Sequence, residues 1–128
     1  MTTSSEAIAL SYLDAVAKKE LDRVASLVTS DVRFVGPATS FTGAADLLAA
    51  FRRIGVIHVR SDIKRVFSDG NDVCVIYDFV TDTAGPLPCV EWLHLEGGKI
   101  CEVKLFYDQV PWIEIRKEMT RRAAQATA

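Results

Sequence analysis

The sequence predicts an α+β domain. Helical spacing of apolar residues fills most of the first 53 positions, and four longer segments with a two-residue alternation follow, joined by short turns. Short connections make neighbouring strands antiparallel, so the second half reads as a meander packed on N-terminal helices. The 128 residues suit one domain, expected over 1–122 with 123–128 as a flexible tail.

Ser5 to Lys19 carries Ile8, Tyr12, Ala15 and Val16 at helical spacing, with Ser4 or Ser5 able to cap its first turn. Leu21 to Val28 reads as a second short helix. Thr29-Ser30-Asp31 breaks it, and Val32 to Val35 reads as a short strand closed by Gly36-Pro37. Thr42-Gly43 opens a third helix, about Ala44 to Arg53, with Leu47, Leu48 and Phe51 as its buried stripe. Ile57 to Phe67 then alternates, with Val59, Ile63 and Phe67 on one side and Arg60, Asp62 and Lys64 on the other. Asp69-Gly70-Asn71-Asp72 is a turn, followed by strands Val73 to Asp82, Leu87 to Glu96 and Lys99 to Asp108. Pro111 suits the start of a last helix, Trp112 to Arg122.

The bulk composition removes several function classes. Fifteen Lys+Arg against seventeen Asp+Glu give a net charge of -2 with no block of either sign, so no basic face for nucleic acid is expected. No apolar run approaches the ~18 residues of a membrane span, and Met1 to Glu6 lacks the basic start of a secretory signal. Cys74, Cys89 and Cys101 are an odd number without CxxC spacing and read as small core hydrophobes in a reducing compartment, with a cytoplasmic location as the default. No HxH or HExxH spacing is present, so no metal and no cofactor are expected.

The turn at Gly97-Gly98 sets which side chains face the helices. A three-residue loop through Lys99 places Leu95 opposite Cys101, Leu93 opposite Val103 and Glu91 opposite Leu105. The alternative two-residue loop would set Glu91 opposite Lys104 and expel Val103 and Leu105 from that face; burial of apolar residues selects the first. The inner face then holds Val73, Val75, Tyr77, Phe79, Thr81, Leu87, Cys89, Glu91, Leu93, Leu95, Cys101, Val103, Leu105 and Tyr107. One carboxyl among so many apolar neighbours is the oddest feature of the chain. The outer face carries Ile76, Val80, Val90, Trp92 and Phe106, an apolar patch best explained by a homodimer; coverage by the C-terminal helix is the alternative.

From Tyr12 to Asp108 the chain resembles the nuclear transport factor 2-like superfamily, which includes ketosteroid isomerases, SnoaL-like polyketide cyclases and limonene-epoxide hydrolases. The resemblance rests on Ser11-Tyr12-Leu13-Asp14-Ala15-Val16 with Leu21-Asp22, on Asp31-Val32-Arg33-Phe34, on Thr42-Gly43 before a helix, and on Glu91-Trp92-Leu93 leading to Gly98-Lys99-Ile100. It implies a cystatin-like α+β roll, a cone-shaped curved antiparallel sheet enclosing a small-molecule pocket. In ketosteroid isomerases a tyrosine on the first helix and a protonated acid on the fourth cone strand hydrogen-bond a developing oxyanion. Those positions fall at Tyr12 and Glu91. The aspartate base of the isomerases falls at Phe34, and the last-strand acid of the hydrolases and cyclases at Leu105, so both are missing.

The candidate catalytic set is therefore Tyr12, Glu91 and His58, the last a general base at the pocket mouth by virtue of its near-neutral titration. A buried Glu91 should titrate high and donate a hydrogen bond when neutral. Its structural alternative is a salt bridge to Arg65 or another buried cation. Phe34, Tyr77, Phe79, Leu93, Val103, Leu105 and Tyr107 are the expected wall for an apolar ligand with a carbonyl or phenol oxygen. His94 is expected on the outer face beside Trp92. The competing functional expectation is a non-catalytic dimeric module whose cone is filled by its own side chains.

Overall fold

The computed structural model describes residues 4–126. Its elements run α1 (Ser5–Ala17), α2 (Leu21–Leu27), β1 (Val28–Val35), β2 (Ser40–Thr42), α3 (Ala44–Ile54), β3 (His58–Asp69), β4 (Asp72–Thr81), β5 (Leu87–Glu96), β6 (Lys99–Tyr107) and α4 (Trp112–Ala126). The Ser4 side chain caps α1 by accepting from the Ala7 N–H. The six strands form one curved sheet in the order β2-β1-β6-β5-β4-β3. β3 to β6 are the antiparallel meander, but β1 joins β6 in parallel, so the sheet is mixed rather than wholly antiparallel.

Three details depart from the sequence reading. The first is β2, which pairs antiparallel with β1 after the Gly36-Pro37 turn, where the Gly36 N–H donates to the Thr39 carbonyl. The second is β3. Two register shifts, between His58 and Arg60 and between Ile63 and Arg65, split its alternation. Ile63 consequently sits opposite inward Tyr77 while Phe67 sits opposite outward Cys74; Val59, Ile63 and Phe67 share no face, and all three are exposed. Bulges of this kind bend a strand and increase its twist, which suits the edge of a curved sheet.

The third is the β5–β6 turn. It is a two-residue turn, with Gly97 at φ 58 and Gly98 at φ 78, and Glu96 pairs with Lys99. Two successive positive φ angles define the turn type that glycine accommodates without strain. A bulge at Cys101 then restores the expected pairs, Leu93 with Val103 and Glu91 with Leu105. Leu95 faces Ile100 instead of Cys101, and Ile100 takes the inward position. Apolar burial selected the right faces, and the bulge absorbed the odd residue.

The core lies between the inner sheet face and α1, α2 and α3, with Tyr12, Leu47, Leu93, Ile100 and Val103 fully buried. α4 packs on the inner side: Trp112 stands 5.7 Å from Phe79 and 5.5 Å from Tyr107, ring centre to ring centre. It therefore does not cover the outer patch. α4 also continues through Ala126, past the Arg122 boundary expected from the sequence, while Thr127 and Ala128 lie outside the described residues. None of the described helices is long and apolar enough to cross a membrane.

Candidate functional site

The curved sheet, α1, α3 and α4 enclose a cavity of about 410 Å³. Period-two alternation carries Tyr77, Phe79, Cys89 and Glu91 into it from β4 and β5, and Leu105 and Tyr107 from β6. Tyr12 reaches it from α1, Phe34 from β1 and His58 from the start of β3. Tyr12, Glu91 and His58 thus all line one cavity. Of the expected wall, Phe34, Tyr77, Phe79, Leu105 and Tyr107 line it, but Leu93 and Val103 do not; both are fully buried in the core. Cys101, turned aside by its bulge, does not line it either, and its thiol lies against the His94 carbonyl. Phe34 stacks on Phe41 at 4.9 Å, and neither it nor Tyr107 fills the cone.

Glu91 is 5% exposed, and its Oε1 accepts a 2.9 Å hydrogen bond from the Tyr77 hydroxyl. Burial raises its carboxyl to about 7, against the opposing effect of that hydrogen bond. Among the described residues it has no cationic partner. Arg65, the expected alternative, is exposed and donates to the Lys64 carbonyl. Burial also pushes the Tyr12 and Tyr77 hydroxyls well above the usual tyrosine value, with Glu91 adding to both.

His58 is buried, stacks on Phe79 at 4.1 Å, and brings its Nε2 within 3.0 Å of the Ser61 hydroxyl. Burial lowers its pKa to about 4, partly offset by the Arg60 backbone, so it is neutral at pH 7. Burial raises the Cys89 thiol to about 12, which disfavours its thiolate.

Among the described residues five buried side-chain polar atoms lack a hydrogen-bond partner within the protein. Four of them, the Tyr12 hydroxyl, Glu91 Oε2, His58 Nδ1 and Trp112 Nε1, belong to residues lining this one cavity. Buried polar groups are nearly always paired, so their concentration here singles out the cavity.

Sequence reasoning missed Tyr77 as the partner of Glu91, and it missed Phe41, Trp112, Arg53 and Arg116 in the lining. The Pro111 helix start was the available signal for Trp112. It also missed a cluster on the outer face. There the donor atoms of His94, Glu96 and Cys101 lie within 4.8 Å of one another. His94 Nδ1 is held at 2.9 Å by Asp72, which raises its pKa, and Asp72 also accepts from the Trp92 indole.

No curated protein matches this sequence. Solved structures do. An NTF2-like protein of unknown function from Cytophaga hutchinsonii is 19% identical, with 88% of this chain and 97% of that one aligned at a TM-score of 0.79. A candidate ketosteroid isomerase from Kribbella flavida is 23% identical over 81% of this chain and 77% of its own, at a TM-score of 0.74. A de novo designed protein with a curved β-sheet aligns over 91% of this chain and 94% of its own at a TM-score of 0.77, with 15% identity. These likenesses establish the nuclear transport factor 2-like fold. Residues 9–103 match the family model of the SnoaL-like domain, and this chain belongs to that family.

Proposed function

We propose that the cone binds a small, mostly apolar molecule bearing a carbonyl or phenol oxygen, held by hydrogen bonds from Tyr12 and Glu91. The observation that carries this reading is the pair of buried oxygens, the Tyr12 hydroxyl and Glu91 Oε2, that line the cavity without a protein partner. A buried polar atom left unpaired costs about 1–3 kcal/mol, and one ligand oxygen accepting from both would remove two such costs. Glu91 is neutral up to about pH 7, so it can donate as well as Tyr12 does. Two donors fixed in a largely apolar pocket stabilise charge developing on the ligand oxygen. That is the requirement of an isomerase- or cyclase-like step, and the candidate ketosteroid isomerase among the similar structures fits the same reading. Phe34 and Leu105 supply no base, and His58 at about 4 is a weak one, so turnover relies on a weakly basic imidazole, a water or the substrate itself.

A titration with 2-naphthol, followed by ultraviolet absorbance, tests the site. Wild type should bind, and Tyr12→Phe and Glu91→Leu should each weaken binding by about tenfold or more. Equal binding by all three proteins would refute the oxygen site.

The outer face is proposed to pair with a second copy of the chain. Trp92 and Phe106 are 42% and 53% exposed, and they flank Val90 and Ile76 across β4, β5 and β6, the middle of the sheet. A patch in that position meets its own copy across a two-fold axis without steric interference from α4, which lies on the other side. The partly exposed Val80 continues the patch along β4.

A further inference from the structure

The cavity has a second polar feature that the oxygen site does not use. Most of its lining residues are buried or half-buried; Ala38, Thr39, Arg53 and Arg116 are exposed and therefore form its rim. Two of those four are arginines. The one acid in the lining is Glu91, deep inside.

Among the described residues four of the nine arginines are neutralised locally; of the five that are not, Arg33, Arg52 and Arg65 do not line the cavity. Arg23 pairs with Asp14 and Glu20, Arg60 with Asp62, Arg121 with Glu118, and Arg122 with Asp82 and Glu118. Arg53 and Arg116 have no carboxylate partner among the described residues. Arg53 lies in the last turn of α3, where it also offsets the helix dipole. Arg116 has no such use; it reaches the hydroxyl of Tyr107, itself a lining residue. One helical turn before Arg116 stands Trp112, whose buried indole N–H is unpaired in the same wall. Two guanidinium groups without a carboxylate partner at the opening, and a buried indole N–H in the wall below them, attract an anion, and the low-dielectric walls focus their field.

We infer that the ligand is an amphipathic carboxylate, its neutral oxygen at Tyr12 and Glu91 and its anionic group at Arg53 and Arg116. This rests on the oxygen site proposed above and adds the substrate class. The cavity of about 410 Å³ has room for a fused-ring skeleton between the two ends.

The test compares 2-naphthol with 6-hydroxy-2-naphthoate, which adds a carboxylate at the opposite end of the same ring system. Both are titrated into wild type, Arg116→Gln and the Arg53→Gln/Arg116→Gln double variant, at low and high salt. Wild type should prefer the carboxylate about tenfold, a preference that falls with salt and disappears in the double variant. 2-Naphthol, which carries no anion for the arginines to meet, is the reference probe for each variant, and circular dichroism establishes that the variants remain folded. No preference in wild type, or a preference that survives in the double variant, overturns the inference while leaving the oxygen site intact. Failure of both probes to bind wild type overturns both.

Discussion

Replacing Glu91 by Gln should make the protein more stable in a way that depends on pH, and the dependence reports the state of the buried acid. In the folded protein its carboxyl is raised from 4.5 to about 7, chiefly by burial. Below pH 4.5 the acid is neutral in both the folded and unfolded chain, and it contributes no pH dependence. Between the two values the unfolded chain releases the proton while the folded one keeps it, so stability falls as pH rises. Above about 7 both forms are ionised and the full cost remains. At ~1.4 kcal/mol for each pH unit separating the two values, the loss between pH 4.5 and 8 comes to about 3 kcal/mol. Gln has nearly the same shape, can still accept from Tyr77 and does not titrate. Subtracting the two stability curves cancels the groups common to both proteins, including His58. Urea denaturation of wild type and Glu91→Gln, repeated at steps from pH 4.5 to 8, should give a difference that grows by about 3 kcal/mol in favour of the variant. A difference flat across that range would mean that Glu91 is ionised and compensated in the fold, and the neutral-donor role would fall with it.

Two further outcomes follow. Tyr12→Phe removes a buried hydroxyl that has no protein partner, so stability should rise by about 1 kcal/mol or stay unchanged while 2-naphthol binding weakens; a clear loss of stability would show that the hydroxyl is a structural group. Trp92→Glu places a charge in the centre of the outer patch and should yield a monomer by light scattering, whereas a dimer of undiminished affinity would remove that face as the interface.

The parts of the fold that were legible in the sequence are those where burial repeats with a fixed period. β5 alternates without interruption over Leu87–Glu96, and its bounds and faces are those expected from the sequence alone. β2 is three residues long and has no period to read. The bulges in β3 and at Cys101 cost the chain one residue of alternation each and leave no compositional mark; Gly97-Gly98 announces a turn but not its length. Glu91 was legible in the site because it interrupts an apolar alternation. Leu93 and Val103 were misplaced because sharing a sheet face with a cavity is not the same as lining it; they sit on the inner face in the packed core. Arg53, Arg116 and Trp112 were missed because they arrive from helices whose approach angle is set by packing that no local pattern encodes.

A wholly apolar cone would satisfy the fold more easily than the one observed. Leu at position 91 with Phe at positions 12 and 77 would remove two orphaned buried oxygens without stranding the Tyr77 hydroxyl, and those residue types are at home on the faces concerned. Where four of the five unpaired buried polar atoms among the described residues belong to the lining of one cavity, the proposed ligand accounts for their concentration there. In the proposed reading the unpaired oxygens inside and the arginines at the rim are two halves of one requirement, which an apolar molecule polar at both ends would meet.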